Sequence, residues 1–466
     1  MEIAFIGGVR RVTGSLHMLT VGGARVLLDC GLNEGHREEA RRLNLEMAQL
    51  GREADALILT HAHMDHAGNV PTLVRAGFGG HIWATAATRD LCAAMLRDSA
   101  HLQEADAAYL NKKKRKAGQP LIEPLYTQAD AEASMRHFVG VAYHRAFAVA
   151  PGVEFSFLDA GHILGSALIR LSLSEDGRRV TLGYTGDLGR EKLPIVRDPE
   201  LLPGVDYLIL ESTYGSRDNE SPEEARLRLE QVVNETYRRG GKLIVPAFAV
   251  GRTQELVYDL YVLREERRIP KLPIFVDSPL AVDVTEIFRL HPECYDEQMR
   301  SLLERDGYGP LGHNHVRYVR SVEDSKELNF LREPAIIISA SGMAEGGRIL
   351  HHLKHNIGDE RNTILFVGYQ AQHTLGRRIL DGAQAVRIFD EEYPVRARVE
   401  SIAGYSAHAD RTGLLSYAEA VARSGNLQGI FLVHGEEEAI TALAEGLRER
   451  GLGPVMVPAP GERVPL

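Results

Sequence analysis

The sequence predicts a layered α/β protein of at least two domains, and three observations predict it. Residues 1 to about 210 alternate short apolar runs, among them ARVLLDCG, ADALILTH, GVEFSFLDAG and RRVTLGYTGD, with helix-like stretches around 37–50 and 84–110. From about 214 to 390 strand, loop and helix alternate more regularly, as they do in a mostly parallel sheet. From about 391 to 466 short strands resume, in RARVESIAG and LQGIFLVHGE, with histidine-bearing loops like those of the first segment. The middle segment therefore reads as an insertion, giving segments 1–213, 214–390 and 391–466.

Composition sets bounds on function. A chain of 466 residues can bury a large core. Its 44% hydrophobic and 25% charged residues exclude disorder and fibrous repeats. No run approaches the ~18–20 apolar residues of a membrane span. The opening MEIAFIGGVRRVTGS reads as a first strand and lacks the basic-then-apolar pattern of a secretion signal. Three scattered cysteines, Cys30, Cys92 and Cys294, give neither a disulfide framework nor a CxxC pair. A cytoplasmic protein with no membrane partner is expected. The net charge of −10 runs against bulk attraction of nucleic acid, although bound cations would reverse the field locally.

Within the middle segment a helix is expected over 222–240, then the strand KLIVPAFA and a helix opening at Gly251 and Arg252. LPIFVDSP leads to a helix near 281–290, and PAIIISASG and NTILFVGYQ each run into a loop and a helix. In the first segment the basic run Lys112 to Lys116 reads as a loop, either solvated or touching phosphates.

The strongest chemical signal is His61-Ala62-His63-Met64-Asp65-His66, which follows the strand ADALILT and leads into a helix. In an extended segment His61 and His63 point the same way, and a turn into a helix aims Asp65 and His66 at an adjacent point. That spacing suits two neighbouring metals. Imidazole and carboxylate without thiolate suit zinc, with manganese or iron as alternatives. Further candidate ligands end apolar runs elsewhere: His162 after FSFLDAG, Asp187 after VTLGYTG and His434 after IFLV.

With these residues in view, the sequence resembles the metallo-β-lactamase superfamily, and within it the β-CASP branch of nucleases. The likeness covers almost the whole chain. It implies an αββα sandwich carrying an inserted β-CASP domain of mostly parallel sheet. It implies Asp29 as a residue orienting ligands from behind, His61, His63 and His162 on one zinc, Asp65, His66 and His434 on the other, and Asp187 as the bridge. It also implies Glu211 in LILESTYG and His408 in SAHAD as the acidic and histidine motifs of that branch. VPAFAVGRTQEL, SASGMAEGG and GYQAQHTLGRR match phrases of the inserted domain. His373 departs from the pattern, where a glycine is expected.

The reaction so implied is phosphodiester hydrolysis, with two zinc ions activating water and neutralising charge at phosphorus. Catalytic roles fall to Asp65, Asp187, His408 as general acid and Glu211 as its holder. The likeness implies 5′-phosphate and 3′-hydroxyl products, and self-association as a homodimer. Ser339, Ser341, Gly342, Arg252, Thr374 and Arg377 sit at strand-to-helix junctions and are candidates for RNA phosphate contacts, capping or solvation. An inserted domain over the metals implies a cleft that favours single-stranded RNA over duplex. The inserted phrases resemble RNA-processing members related to the mRNA 3′-end cleavage factor. The chain ends soon after His434, whereas 5′-end exonucleases of the ribonuclease J type carry a further domain, so internal cutting is expected. A 5′–3′ exoribonuclease, a DNA nuclease, a carbonyl-ester hydrolase on the same fold and a non-catalytic RNA-binding subunit are the alternatives.

Overall fold

The computed structural model describes residues 1–116, 118–307, 309–312 and 314–466. The chain forms two compact units, one of Met1–Glu191, Asp198–Asp218 and His408–Leu466, the other of Lys192–Arg197 and Asn219–Ala407. These edges differ from the expected 214–390. Strand Arg398–Ser401 belongs to the second unit because it pairs in parallel with Thr363–Phe366. Lys192–Arg197 belongs there because Ile195 accepts from the Asp296 backbone N–H at 2.9 Å.

The first unit contains two seven-stranded sheets. One runs Glu462–Pro465, Glu2–Gly7, Leu16–Val21, Ala24–Leu28, Ala56–Ile58, His81–Thr85, Phe138–Val141. The other runs Val455–Met456, Gly429–Val433, Tyr207–Glu211, Arg178–Tyr184, Ala167–Glu175, Val153–Asp159, Phe147–Ala150. Successive strand residues face opposite ways, which lets one strand serve two cores. Ile209, Phe431 and Val433 join Phe5, Leu19, Val26 and Ile58 between the sheets. Their neighbours Leu208, Leu210, Ile430 and Leu432 face outward, onto Leu414, Leu415, Leu443 and Leu447 of helices Arg411–Arg423 and Glu437–Glu449. Helix Ala86–Lys116 packs on the first sheet at His81–Thr85 and Phe138–Val141. The order helix, sheet, sheet, helix is the αββα sandwich the resemblance implies. Lys112 to Lys116 form the last turn of that long helix, not a loop. Lysine and arginine are good helix formers and favourable near a helix C-terminus. No helix among the described residues is long and apolar enough to cross a membrane.

Strand direction gathers the polar loops. Leu28 is paired in parallel with Ile58, so Asp29 and the run from Leu59 leave one sheet side by side. In the other sheet Tyr184 pairs in parallel with Ile209, and Glu211 with Val433. Residues 185–187, 212–213 and 434 therefore emerge together, with the loop after Asp159 joining them through the Asp159–Ala167 pair.

The second unit is built on a six-stranded, wholly parallel sheet ordered Arg317–Tyr318, Ile274–Val276, Ile336–Ser339, Leu243–Pro246, Thr363–Phe366, Arg398–Ser401. Its four central strands are near-continuous buried apolar runs because both faces are covered, while the edge strands Arg317–Tyr318 and Arg398–Ser401 are polar and partly exposed. At one strand end Asp277, fully buried, accepts from Arg348 at 2.7 Å, His352 Nε2 at 2.6 Å and Ser325 Oγ at 2.5 Å. Burial opposes the carboxylate's charge, but these donors hold it ionised below the usual carboxylate range. Asp277→Ala leaves the Arg348 guanidinium, together with His352 and Ser325, without its acceptor. We expect a loss of about 3 kcal/mol, read as a lower urea midpoint for this unit.

His373 adopts φ +71, the left-handed region that favours glycine. That explains why a glycine is expected there; nothing in the structure explains the histidine. His373→Gly relieves roughly 1–2 kcal/mol of backbone strain, partly offset by the freer unfolded chain. A net gain of about 1 kcal/mol is expected in the urea midpoint.

Candidate metal centre

Asp29 begins the site. It also lies in the left-handed region, at φ +58, which turns the chain away as the strand ends. Its carboxylate accepts from the Thr60 N–H at 2.8 Å and the Tyr184 hydroxyl at 2.8 Å, and lies 2.8 Å from His66 Nδ1. With Nδ1 held by Asp29, His66 turns its Nε2 forward, where a metal would replace the proton. The neighbouring loops are packed against each other's backbone. Ser15 N–H donates to Asp65 O at 2.9 Å, and a Cβ on Gly31 would stand 1.6 Å from that same oxygen, so only glycine fits.

Three ring nitrogens converge in front of Asp187. His63 Nδ1 lies 3.1 Å from His61 Nε2 and 3.2 Å from His162 Nε2, while Asp187 Oδ2 lies 3.3 Å from His61 Nε2 and 3.4 Å from His162 Nε2. A tetrahedral zinc with bonds of about 2.0–2.1 Å has ligand-to-ligand edges of about 3.3 Å. On the other side, Asp187 Oδ1 lies 3.0 Å from His66 Nε2, which is 3.2 Å from His434 Nε2. His434 Nε2 is in turn 3.4 Å from Asp65 Oδ2. His434 sits at φ +51, held by its N–H donating to Gly8 O at 2.6 Å.

The electrostatics match a cation site. Burial lowers His61 and His162 and brings His63 down to about 3, so these rings are neutral at pH 7 with lone pairs available. Asp187 is buried, yet neither of its oxygens receives a well-aligned hydrogen bond. Burial opposes its ionisation, but the surrounding histidines overcome this and hold it well below the usual carboxylate range. Burial disfavours a charge on His66, but Asp187 and Asp29 raise its pKa well above the ordinary histidine range, so the His66 proton supplies the compensating charge that a bound cation would take over. The residues present fit metal binding.

A second pair stands beside this cluster. His408 Nδ1 is 3.0 Å from Glu211 Oε1, and its Nε2 is 3.9 Å from Asp187 Oδ2. Glu211 is fixed by backbone N–H groups of Leu188 at 2.8 Å and Thr213 at 3.1 Å. Burial disfavours the His408 imidazolium, but the Glu211 and Asp187 carboxylates outweigh it and push His408 up to about 10. The Tyr214 ring meets His408 edge-on at 5.9 Å and steadies it.

The structure thus brings together Asp29, His61, His63, Asp65, His66, His162, Asp187, Glu211, His408 and His434. The supporting hydroxyls of Thr60, Tyr184 and Thr213 were missed. Thr60 shares its hydroxyl with Asp29 at 2.9 Å, and Thr213 places its own 3.2 Å from His434 Nδ1. Their only sequence signal is nearness to the His61, Asp187 and Glu211 motifs.

The six phosphate-contact candidates lie in the second unit, and most have internal duties. Ser339 has a buried hydroxyl that donates to Asp277 O at 2.7 Å. Ser341 closes its own loop on the Glu345 and Gly346 N–H groups at 3.1 and 3.4 Å. Gly342 is buried and accepts from Gln370 at 3.1 Å. Arg252 pairs with Glu255 at 2.5 Å. Thr374 caps helix Leu375–Leu380, and Arg377 pairs with Asp381 at 2.9 Å.

Comparisons with known proteins agree with this architecture. Residues 10–156 match the metallo-β-lactamase superfamily, residues 253–379 the Beta-Casp domain, and residues 392–458 the "Zn-dependent metallo-hydrolase RNA specificity domain". The chain is 37% identical to Ribonuclease TTHA0252 of Thermus thermophilus, covering 97% of each. It is 34% identical to transcription termination factor FttA of Methanocaldococcus jannaschii, covering 96% of this chain and 69% of that one. A crystal structure of a protein of unknown function from Enterococcus faecalis shares the fold, with TM-score 0.55, 14% identity and 99% coverage of both chains. This chain therefore belongs to the β-CASP ribonuclease family of the metallo-β-lactamase superfamily.

Proposed function

We propose that this protein is a two-zinc endoribonuclease that hydrolyses single-stranded RNA to 5′-phosphate and 3′-hydroxyl ends. The observation that carries the reading is Asp187, a buried carboxylate facing nitrogen ligands on both sides, with the Glu211–His408 pair beside it. His61, His63 and His162 would hold one ion, Asp65, His66 and His434 the other, and Asp187 both. When bound, such ions supply Lewis acidity toward the phosphodiester and an activated water.

The remaining work falls to the protein. His408, held at Nδ1 by Glu211, donates its Nε2 proton to the departing 3′ oxygen. Glu211 accepts the Nδ1–H and keeps that ring oriented, while its backbone donors stop it from swinging toward the metals. Asp29 orients His66 in the same manner from behind. RNA as substrate is supported by the similarity to a ribonuclease and by the RNA specificity region matched at 392–458.

The test is cleavage of one single-stranded RNA labelled at its 5′ end in one sample and its 3′ end in another, with zinc present. Internal fragments from both labels are the expected result. Mononucleotides released from the 5′ label replace the endonuclease by a 5′–3′ exonuclease. Intact RNA beside cleaved DNA assigns the substrate to DNA.

A further inference from the structure

In the run LIVPAFAV of the second unit, Ala247, Ala249 and Val250 are buried while Phe248 turns its ring outward, 41% exposed. That order opposes hydrophobicity, since a buried aromatic ring contributes far more than alanine. The ring is nonetheless fixed. A Cβ on Gly342 would stand 2.9 Å from a Phe248 ring carbon, and one on Gly368 would stand 3.6 Å away. Loops from two neighbouring strands therefore lay bare backbone against the ring. Thr253 donates from its hydroxyl to Phe248 O at 2.7 Å, anchoring the loop from within. The Gln370 amide donates to the Gly342, Gly368 and Tyr369 carbonyls, each at 3.1 Å, and Tyr369 beside it is 51% exposed.

The position in the sheet is equally specific. Leu243–Pro246 and Thr363–Phe366 are adjacent parallel strands. The chain leaves the first toward Ile274–Val276 on one side and the second toward Arg398–Ser401 on the other. Where outgoing connections diverge in this way, a crevice opens at the C-terminal ends of the two strands, and α/β sheets bind ligands there. Phe248 and Tyr369 stand on the two loops that leave those ends. Arg252 and Arg377 nearby in sequence are already paired with carboxylates, so the crevice offers aromatic surface more than charge.

We propose that Phe248 is a stacking platform for one nucleobase of the RNA, a positioning residue that favours an unpaired strand. The inference rests on the ribonuclease reading and names a contact within it. Aromatic rings stack any base face, but only where that base is not enclosed in a duplex.

The test is cleavage of a short single-stranded RNA by the wild type, F248L and F248Y, repeated with an abasic nucleotide moved through the strand. We expect the wild type to lose affinity about tenfold at one abasic position. F248L should show a KM about tenfold higher on intact RNA, unchanged kcat and no response to that abasic position. F248Y should keep the wild-type pattern. A flat abasic profile for the wild type overturns the proposal, whether or not F248L folds. Wild-type KM and abasic response in F248L overturn it equally. Failure of the wild type to cleave any RNA removes the ribonuclease reading, and this inference with it.

Discussion

Asp187→Asn is expected to abolish RNA cleavage and to remove most of the bound metal. Asp187 is the residue whose two oxygens face both ligand groups, 3.3 Å from His61 Nε2 on one side and 3.0 Å from His66 Nε2 on the other. An amide has the same shape but no charge, and one of its ends offers N–H bonds where a cation needs a lone pair. Several kcal/mol of transition-state stabilisation depend on the ions, so a loss of at least about 10³-fold in kcat/KM is expected. Metal content by mass spectrometry and single-turnover cleavage check the two halves separately. Full metal content with lost activity would reassign Asp187 from ligand to another role.

His408→Ala is the second large effect, with a different signature. The ring lies outside both sets of proposed ligands and touches Asp187 only at 3.9 Å. Metal content and KM should therefore stay near wild type while kcat falls about 10²–10⁴-fold. If the lost function is proton donation, a substrate with sulfur replacing the leaving 3′ oxygen should recover most of the rate, because a thiolate departs without a proton. Equal slowing on both substrates would contradict the general-acid role. Glu211→Gln should act in the same direction but less, since it leaves His408 in place with a poorer partner for Nδ1.

The metal ligands were legible because each interrupts an apolar run at a strand end, where a polar residue needs a reason. His61, Asp187 and His434 all do so, and the parallel pairing of the strands before them turns a shared pattern into a shared place. The supporting residues were not legible for the converse reason. Thr60, Tyr184 and Thr213 carry hydroxyls that are common in any strand or turn, and their value comes only from partners distant in sequence. The same ambiguity explains the phosphate candidates. Serine and threonine at strand-to-helix junctions cap helices or close loops as readily as they meet a ligand, and Thr374 caps.

The boundary of the inserted unit was hidden because strand pairing is not written in composition. Arg398–Ser401 reads like the strands that follow it, and only its register with Thr363–Phe366 assigns it to the second unit. The short return of Lys192–Arg197 to that unit has no sequence signal at all. Phe248 was visible inside VPAFAVGRTQEL, but its outward turn was not, since nothing local distinguishes it from a core phenylalanine.

The central claim is that paired metals at Asp187 drive RNA cleavage, and the most direct measurement is a zinc titration of metal-stripped protein against single-stranded RNA. No cleavage without zinc, and activity rising to saturation at two equivalents per chain, is the predicted result. Cleavage by stripped protein in the presence of chelator, or intact RNA at every zinc level, would contradict it.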